Sequence, residues 1–288
     1  MKKIDNILII GGDNRQEYMA DYFENTGKAV SVYGIPETEK RENIRNLSSA
    51  IKEADAIILP LPFSKDGKKI FSITPFKETV DDIASETKSD QFIFAGMLSG
   101  SAKNKLSKNE SKVFDYFRRD EVSILNSIPT VQGILKTIFD NINYTIHSSK
   151  CAVFGYGKTG KLTASTLKAL GADVTVCVRK YSDIALAHAN GLEGCMIKDL
   201  YGFAHSFDII INTVPSVVIN KAILHELKRE CIIIDVASAP YGTDFAAAEK
   251  LGIKALQCPS LPGKTAPKTA GEIIAVGILN ILKEEGYE

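Results

Sequence analysis

The stretch from Cys151 to Lys180 constrains this chain more than any other. Cys151-Ala-Val-Phe154 reads as a strand, Gly155-Tyr156-Gly157-Lys158-Thr159-Gly160 as a turn, the residues on to Leu170 as a helix, and Val174–Val178 as a second strand. Strand, glycine turn, helix and strand within about 30 residues make the βαβ frame in which G-x-G-x-x-G marks a dinucleotide site. Gly155 permits the tight turn, Gly157 lets backbone approach a pyrophosphate, and Gly160 lets the helix pack on the strand. The start of the helix then offers unpaired N–H groups and partial positive charge to the phosphates.

The end of the second strand selects the dinucleotide. A carboxylate there accepts from the ribose hydroxyls of NAD and repels a 2′-phosphate. This chain has Arg179 followed by Lys180, and a guanidinium pairs bidentately with phosphate. The residues therefore predict NADP, against the plainer reading of a solvated basic pair.

Further strands are expected near Asp208–Asn212, Cys231–Asp235 and Lys254–Gln257. Helices are expected near Ser182–Asn190, Asp199–His205, Asn220–Leu227 and Thr243–Leu251. The runs Ile209-Ile210-Ile211 and Ile232-Ile233-Ile234 suit parallel strands buried on both faces. Ligands of such sheets bind beyond the carboxyl ends of the strands. That singles out Thr213-Val214-Pro215, Val236-Ala237-Ser238 and Cys258-Pro259-Ser260. At Cys258 a small packing residue competes with a reactive thiol.

The first half opens on the same theme: a strand Ile7–Ile10, the turn Gly11-Gly12-Asp13-Asn14-Arg15-Gln16, a helix to Asn25 and a strand Ala29–Tyr33. Its turn lacks the glycine spacing and puts Asp13 where a pyrophosphate would lie, so no second dinucleotide is expected. Arg15 is either an exposed helix charge or an anion-binding arginine facing an interdomain cleft. Strands follow at Ala56–Leu59 and Gln91–Ala95, with Phe63–Asp90 read as a loop. Asn126–Thr130 is expected to be extended or turning because of Pro129, and Thr130–Ile142 helical. Leu261–Gly271 reads as a loop, and Glu272–Leu282 as a helix crossing back onto the first domain.

The expected fold is α/β: two Rossmann-like doubly wound parallel-sheet domains joined by crossing helices, resembling the D-2-hydroxyacid dehydrogenase plan. Residues 1–128, completed by a C-terminal helix over 270–288, would form the substrate domain, and 129–269 the NADP domain. The length of 288 residues allows two ordinary domains. A formal net charge of +0 without a basic block argues against nucleic acid. No apolar run approaches a membrane span, and Asp5 and Asn6 interrupt any leader-like start, so no membrane partner is expected and the cytoplasm is the default. The five cysteines form no C-x-x-C pair and the four histidines lack metal spacing, so no metal site is expected.

Several motifs together resemble the dipicolinate synthase A subunit family over essentially the whole chain. They are Gly11-Gly12-Asp13-x-Arg15, Pro60-Leu61-Pro62, Gly96-x-x-Ser99, Asn126-Ser127-Ile128-Pro129-Thr130, the glycine fingerprint, and Leu261-Pro262-Gly263-Lys264-x-Ala266-Pro267-x-Thr269-Ala270-Gly271. One departure is visible: Val131-Gln132-Gly133 stands where the family pattern has Ala-Glu-Gly, which removes a candidate proton carrier. The resemblance implies an NADP-dependent oxidoreductase that makes pyridine-2,6-dicarboxylate from dihydrodipicolinate or its hydrated precursor. It places the reaction on a lysine-pathway branch during sporulation, in the mother-cell cytoplasm. The implied partner is a smaller, flavoprotein-like B subunit; a homo-oligomer is left open.

A flat dianionic substrate needs cations and donors for its carboxylates. Arg15, Ser99, Ser127, Thr130 and Lys264 are the candidates, and Lys264 could take the proton if burial prepares it. Two rivals stay open. One is a D-2-hydroxyacid dehydrogenase, although Asp235–Gly242 and Cys258–Gly263 lack the His and Arg of that chemistry. The other is a non-catalytic NADP-binding subunit of a complex.

Overall fold

The structure, a computed structural model, describes residues 3–287. The chain divides into two compact units, Met1–Asn126 with Ala266–Glu288, and Ser127–Thr265.

The first unit begins β1 (Asn6–Ile10), α1 (Arg15–Asn25), β2 (Ala29–Tyr33), α2 (Leu47–Glu53), β3 (Ala56–Ile58), α3 (Val80–Glu86), β4 (Phe92–Ala95), α4 (Gly100–Leu106), β5 (Lys112–Asp115) and α5 (Asp120–Leu125). Its sheet is parallel throughout, in the order β2-β1-β3-β4-β5. Alternation along β1 supplies two cores at once. Ile7 and Ile9 join Met19 and Phe23 on one face, while Leu8 and Ile10 join Ile51, Ile57 and Ile83 on the other. A sheet so buried on both faces needs helices on both faces.

The second unit runs α6 (Ser127–Phe139), β6 (Lys150–Phe154), α7 (Lys158–Ala169), β7 (Asp173–Val178), α8 (Tyr181–Ala189), β8 (Glu193–Met196), β9 (Ile209–Asn212), α9 (Lys221–Glu226), β10 (Ile232–Asp235), α10 (Phe245–Leu251), β11 (Lys254–Gln257) and α11 (Leu261–Thr265). The parallel order β11-β10-β9-β6-β7-β8 is the dinucleotide-binding arrangement, with the connection reversing at β6. Cys151 and Val153 face one core, Ala152 and Phe154 the other.

The chain then returns to the first unit as α12 (Pro267–Glu284), whose Ala270, Ile274, Ile278 and Ile281 are buried at helical spacing. Its glycines set the packing distance. A Cβ on Gly271 would lie 2.4 Å from the Arg15 carbonyl oxygen of α1, and one on Gly277 2.2 Å from Val122 of α5. A helical glycine costs about 0.5–1 kcal/mol. Each isoleucine the close approach buries contributes roughly 1.5–3 kcal/mol, so packing decides.

Several expectations are corrected. Ser127–Pro129 is not extended but forms the first turn of α6. Proline fits there because its missing N–H is not needed, and burial of Ser127, Val131 and Ile134 overrides the restriction on Ile128. The predicted loop Leu261–Gly271 folds as α11 and the start of α12, with Pro267 in the first helical turn. The predicted helix over Asp199–His205 is two 3-10 turns, Ile197–Asp199 and Ala204–Ser206, separated where Gly202 takes φ +92°. Phe63–Asp90 holds α3, started by a Thr79–Asp82 capping box.

Candidate nucleotide-binding site

In the second unit, Phe154 of β6 stands in register with Cys177 of β7 and Asn212 of β9, and Asn212 with Asp235 of β10. The residues that follow each strand therefore leave from one edge of the sheet. Gly155, Arg179, Thr213 and Val236 are brought together there, as the carboxyl-end rule requires.

The glycine turn fits a pyrophosphate. Gly155 takes φ +90°, and a Cβ on it would meet the Thr213 hydroxyl at 2.6 Å. A Cβ on Gly160 would lie 2.1 Å from the Gly155 carbonyl oxygen, so α7 seats directly on the turn. Around Gly157, by contrast, a Cβ would meet nothing within 4 Å. The same residue is the N-cap of α7 and makes no side-chain cap bond. The 12-residue helix thus turns its first N–H groups toward open space, where an anion is favoured. Lys158 is exposed and Thr159 half-buried in that first turn. Tyr156 is 7% exposed and packs into the core.

Two residues that sequence reasoning passed over shape the neighbouring loops. Asn212 and Asp235 end β9 and β10 and are both 0% exposed. The Asn212 amide accepts from the Val214 N–H and donates to the Val214 carbonyl, each at 3.1 Å, closing the Thr213-Val214-Pro215 loop on itself. Asp235 accepts from the N–H groups of Ala237 (3.1 Å) and Gly242 (2.9 Å) and from the Thr243 hydroxyl (2.8 Å), fixing Val236-Ala237-Ser238. Thr213 donates its hydroxyl to the Phe154 carbonyl at 2.7 Å, tying the β9 loop to the glycine turn. The signal was present: each polar residue ends an Ile-Ile-Ile run.

Arg179 and Lys180 are exposed at the end of β7, and neither has an ion-pair partner among the described residues. Ser127, 2% exposed at the start of α6, has its Oγ 3.3 Å from the Thr159 hydroxyl of α7. Thr130 is half-buried one turn further along the same helix. Lys264 is exposed on α11. Burial pushes the Cys258 thiol up, which argues for the packing role over a thiolate nucleophile.

The two candidates in the first unit both make local bonds. Arg15 is not an exposed helix charge: it is 3% exposed and forks onto Asp13, Nε to Oδ1 at 2.8 Å and Nη2 to Oδ2 at 2.9 Å. Its Nη2 also donates to the Leu61 carbonyl. Asp13 therefore occupies the first turn as an internal anion. Ser99 caps α4, its Oγ accepting from the Ala102 N–H at 3.2 Å. Among the described residues no helix is long and apolar enough to cross a membrane.

The comparisons with known proteins also change between residues 117 and 129, where the first unit gives way to the second, although the second match runs on into α12. Residues 6–117 match the N-terminal domain of the dipicolinate synthase A subunit, and residues 129–274 the NAD binding domain of S-adenosyl-L-homocysteine hydrolase. A nicotinamide cofactor is the ligand class of the second match. The dipicolinate synthase A subunit of Bacillus subtilis (strain 168) is 34% identical, with 96% of each chain covered. Its crystal structure superposes with a TM-score of 0.85 over 99% of this chain and 97% of its own. The crystal structure of the Bacillus halodurans counterpart, at 31% identity, gives a TM-score of 0.87 over 98% and 99%. A putative D-3-phosphoglycerate dehydrogenase from Ralstonia solanacearum shares the fold at 13% identity, with a TM-score of 0.61 over 98% of this chain and 94% of its own. The chain belongs to the dipicolinate synthase A subunit family.

Proposed function

We propose that this chain is the NADP-dependent oxidoreductase component of a dipicolinate synthase. On this reading it oxidises dihydrodipicolinate, or its hydrated precursor, to pyridine-2,6-dicarboxylate and works with a flavoprotein-like B subunit. The observation that carries the reading is likeness to the Bacillus subtilis protein along 96% of both chains, so both units match and not the nucleotide unit alone. The reaction would then sit on a branch of the lysine pathway, in the mother-cell cytoplasm of a sporulating bacterium.

Aromatising a dihydropyridine removes one hydride and one proton, and a bound nicotinamide supplies the hydride acceptor. The chain's own part is holding and orienting. The first N–H groups of α7, beside Gly157, hold the pyrophosphate, and the backbone of Gly155–Gly160 shapes the approach. Arg179, with Lys180, pairs with the 2′-phosphate; the absence of a carboxylate at this strand end is what favours NADP over NAD. Thr213-Val214-Pro215 and Val236-Ala237-Ser238, held by Asn212 and Asp235, form a wall of fixed shape beside the turn. For the substrate carboxylates the second unit offers Ser127 and Thr130 as hydroxyls and Lys264 as a cation. Gln132 can hydrogen-bond but not ionise, so it carries no proton.

The test is NADPH formation by the purified chain, alone and with its B subunit, when dihydrodipicolinate and NADP are supplied. Pyridine-2,6-dicarboxylate should appear mole for mole with NADPH. Product formed equally well without the dinucleotide would end the proposal.

A further inference from the structure

Two thiols lie beside the fingerprint that the reaction does not use. Cys177 of β7 and Cys195 of β8 are register partners on adjacent parallel strands. Their sulfurs share a hydrogen bond at 3.7 Å, and both are free. Cys177 is 0% exposed, whereas Cys195 is half-buried and reachable.

We propose that Cys177 and Cys195 form a dithiol site for two-electron oxidation by a small-molecule disulfide, and that the cross-link weakens dinucleotide binding at the adjacent turn. The second clause rests on the function proposed above; the first does not.

The geometry allows the bond. Neighbouring strands run about 4.8 Å apart, inside the roughly 4.4–6.8 Å between Cα atoms that disulfides accept. Closing the sulfurs from 3.7 Å to about 2.0 Å requires one strand to shift. β8 is the edge strand of the sheet, 4 residues long and without a buried residue, so it can move. The division of labour follows from position. Burial keeps Cys177 protonated; in the neutral pair Cys195 donates to it, and once Cys195 ionises the Cys177 S–H favours that thiolate, against desolvation and the nearby Asp199 charge.

The exchange balances. The Cys195 thiolate attacks one sulfur of the small disulfide, breaks its S–S bond and releases one thiolate. Cys177 then gives its proton to that thiolate, and its sulfur displaces the second one from Cys195. Two protein thiols are oxidised by two electrons, and one small disulfide is reduced to two thiols.

The consequence reaches the cofactor turn through the backbone. The Cys177 carbonyl accepts the Gly155 N–H at 2.9 Å. Arg179 leaves the same strand two residues later. The cross-link pulls on both strands, and its pull on β7 at Cys177 acts on the first fingerprint glycine and the proposed 2′-phosphate partner together.

The experiment treats the full-length protein with glutathione disulfide, followed by peptide mapping without reductant and titration with NADPH. A peptide pair joined through Cys177 and Cys195 is expected, with affinity for NADPH lowered by about tenfold and restored by dithiothreitol. Cys195→Ser, and independently Cys195→Ala, should form no such pair and keep its affinity through the treatment. Glutathione retained on Cys195, or both residues recovered as thiols, would overturn the site. A complete cross-link with unchanged NADPH affinity would overturn the coupling. If the reduced protein binds no NADPH, the proposed function fails, and the peptide map still decides the dithiol site.

Discussion

Replacing Gly157 with alanine separates binding from folding. The backbone there, φ −76° and ψ −167°, is ordinary for any residue. A Cβ would meet nothing within 4 Å, so no atom of the protein has to move. Two small effects oppose each other. Alanine restricts the unfolded chain, worth about 0.4–1 kcal/mol of stability. It is also a poorer N-cap than glycine, a loss of the order of 0.5–1 kcal/mol. Net stability should stay within about 0.5 kcal/mol of the parent, a thermal shift of roughly 2 °C or less. The bound dinucleotide is affected very differently. The methyl occupies the space through which the pyrophosphate reaches the first N–H groups of α7. Losing two charge-assisted hydrogen bonds at about 1.5 kcal/mol each removes roughly 3 kcal/mol, which is about 150-fold in dissociation constant. Gly160→Ala is the control of opposite character: its Cβ would sit 2.1 Å from the Gly155 carbonyl oxygen, so it should destabilise by about 1–3 kcal/mol. Differential scanning calorimetry and NADPH titration on both variants read the two quantities. Parental NADPH affinity in Gly157→Ala, or a loss of stability matching that of Gly160→Ala, would refute the reasoning.

Arg179→Asp should weaken NADP binding by at least about tenfold, since a charge-assisted bond worth roughly 1.5–3 kcal/mol becomes a repulsion, while NAD binding changes little; competition titrations with both dinucleotides check this. Gly271→Ala forces a methyl to within 2.4 Å of the Arg15 carbonyl, and should cost about 1–2 kcal/mol in urea unfolding after the alanine helix preference of about 1 kcal/mol is credited. The hydrogen bond from Arg41 holds the Glu24 carboxyl below its ordinary value of 4.5. Its stabilisation is therefore complete above that value and is lost as pH falls through the depressed one. Glu24→Gln should flatten the acid limb of a stability–pH curve, by under about 1 kcal/mol because Glu24 is partly solvated; an unchanged acid limb would show that the pair contributes nothing.

The sequence disclosed what depends on local pattern. The glycine spacing, the Ile-Ile-Ile strands and the basic residues after β7 are short-range signals, and the βαβ repeat implies parallel pairing, though not the strand order, which differs between the two sheets. Short elements escaped it. β8 is Glu-Gly-Cys-Met, with neither β-branched residues nor alternation, and becomes a strand only because β7 offers a free edge. The first turn of α6 escaped because a proline rule was applied outside its scope: Pro129 lies where no N–H is required. The burial of Arg15 escaped for a related reason. Its partner Asp13 is two residues away, but the fork between them depends on a side-chain geometry that no spacing reveals. Asn212 and Asp235 were legible and missed, since attention went to the residues after each strand and not to the polar residue closing it.

The most direct measurement is a crystal structure of the chain with NADP. The account predicts the pyrophosphate against the backbone of Gly157, Lys158 and Thr159, and the 2′-phosphate on the Arg179 guanidinium. A dinucleotide bound away from that glycine turn, or a 2′-phosphate pointing to solvent with Arg179 turned aside, would contradict it.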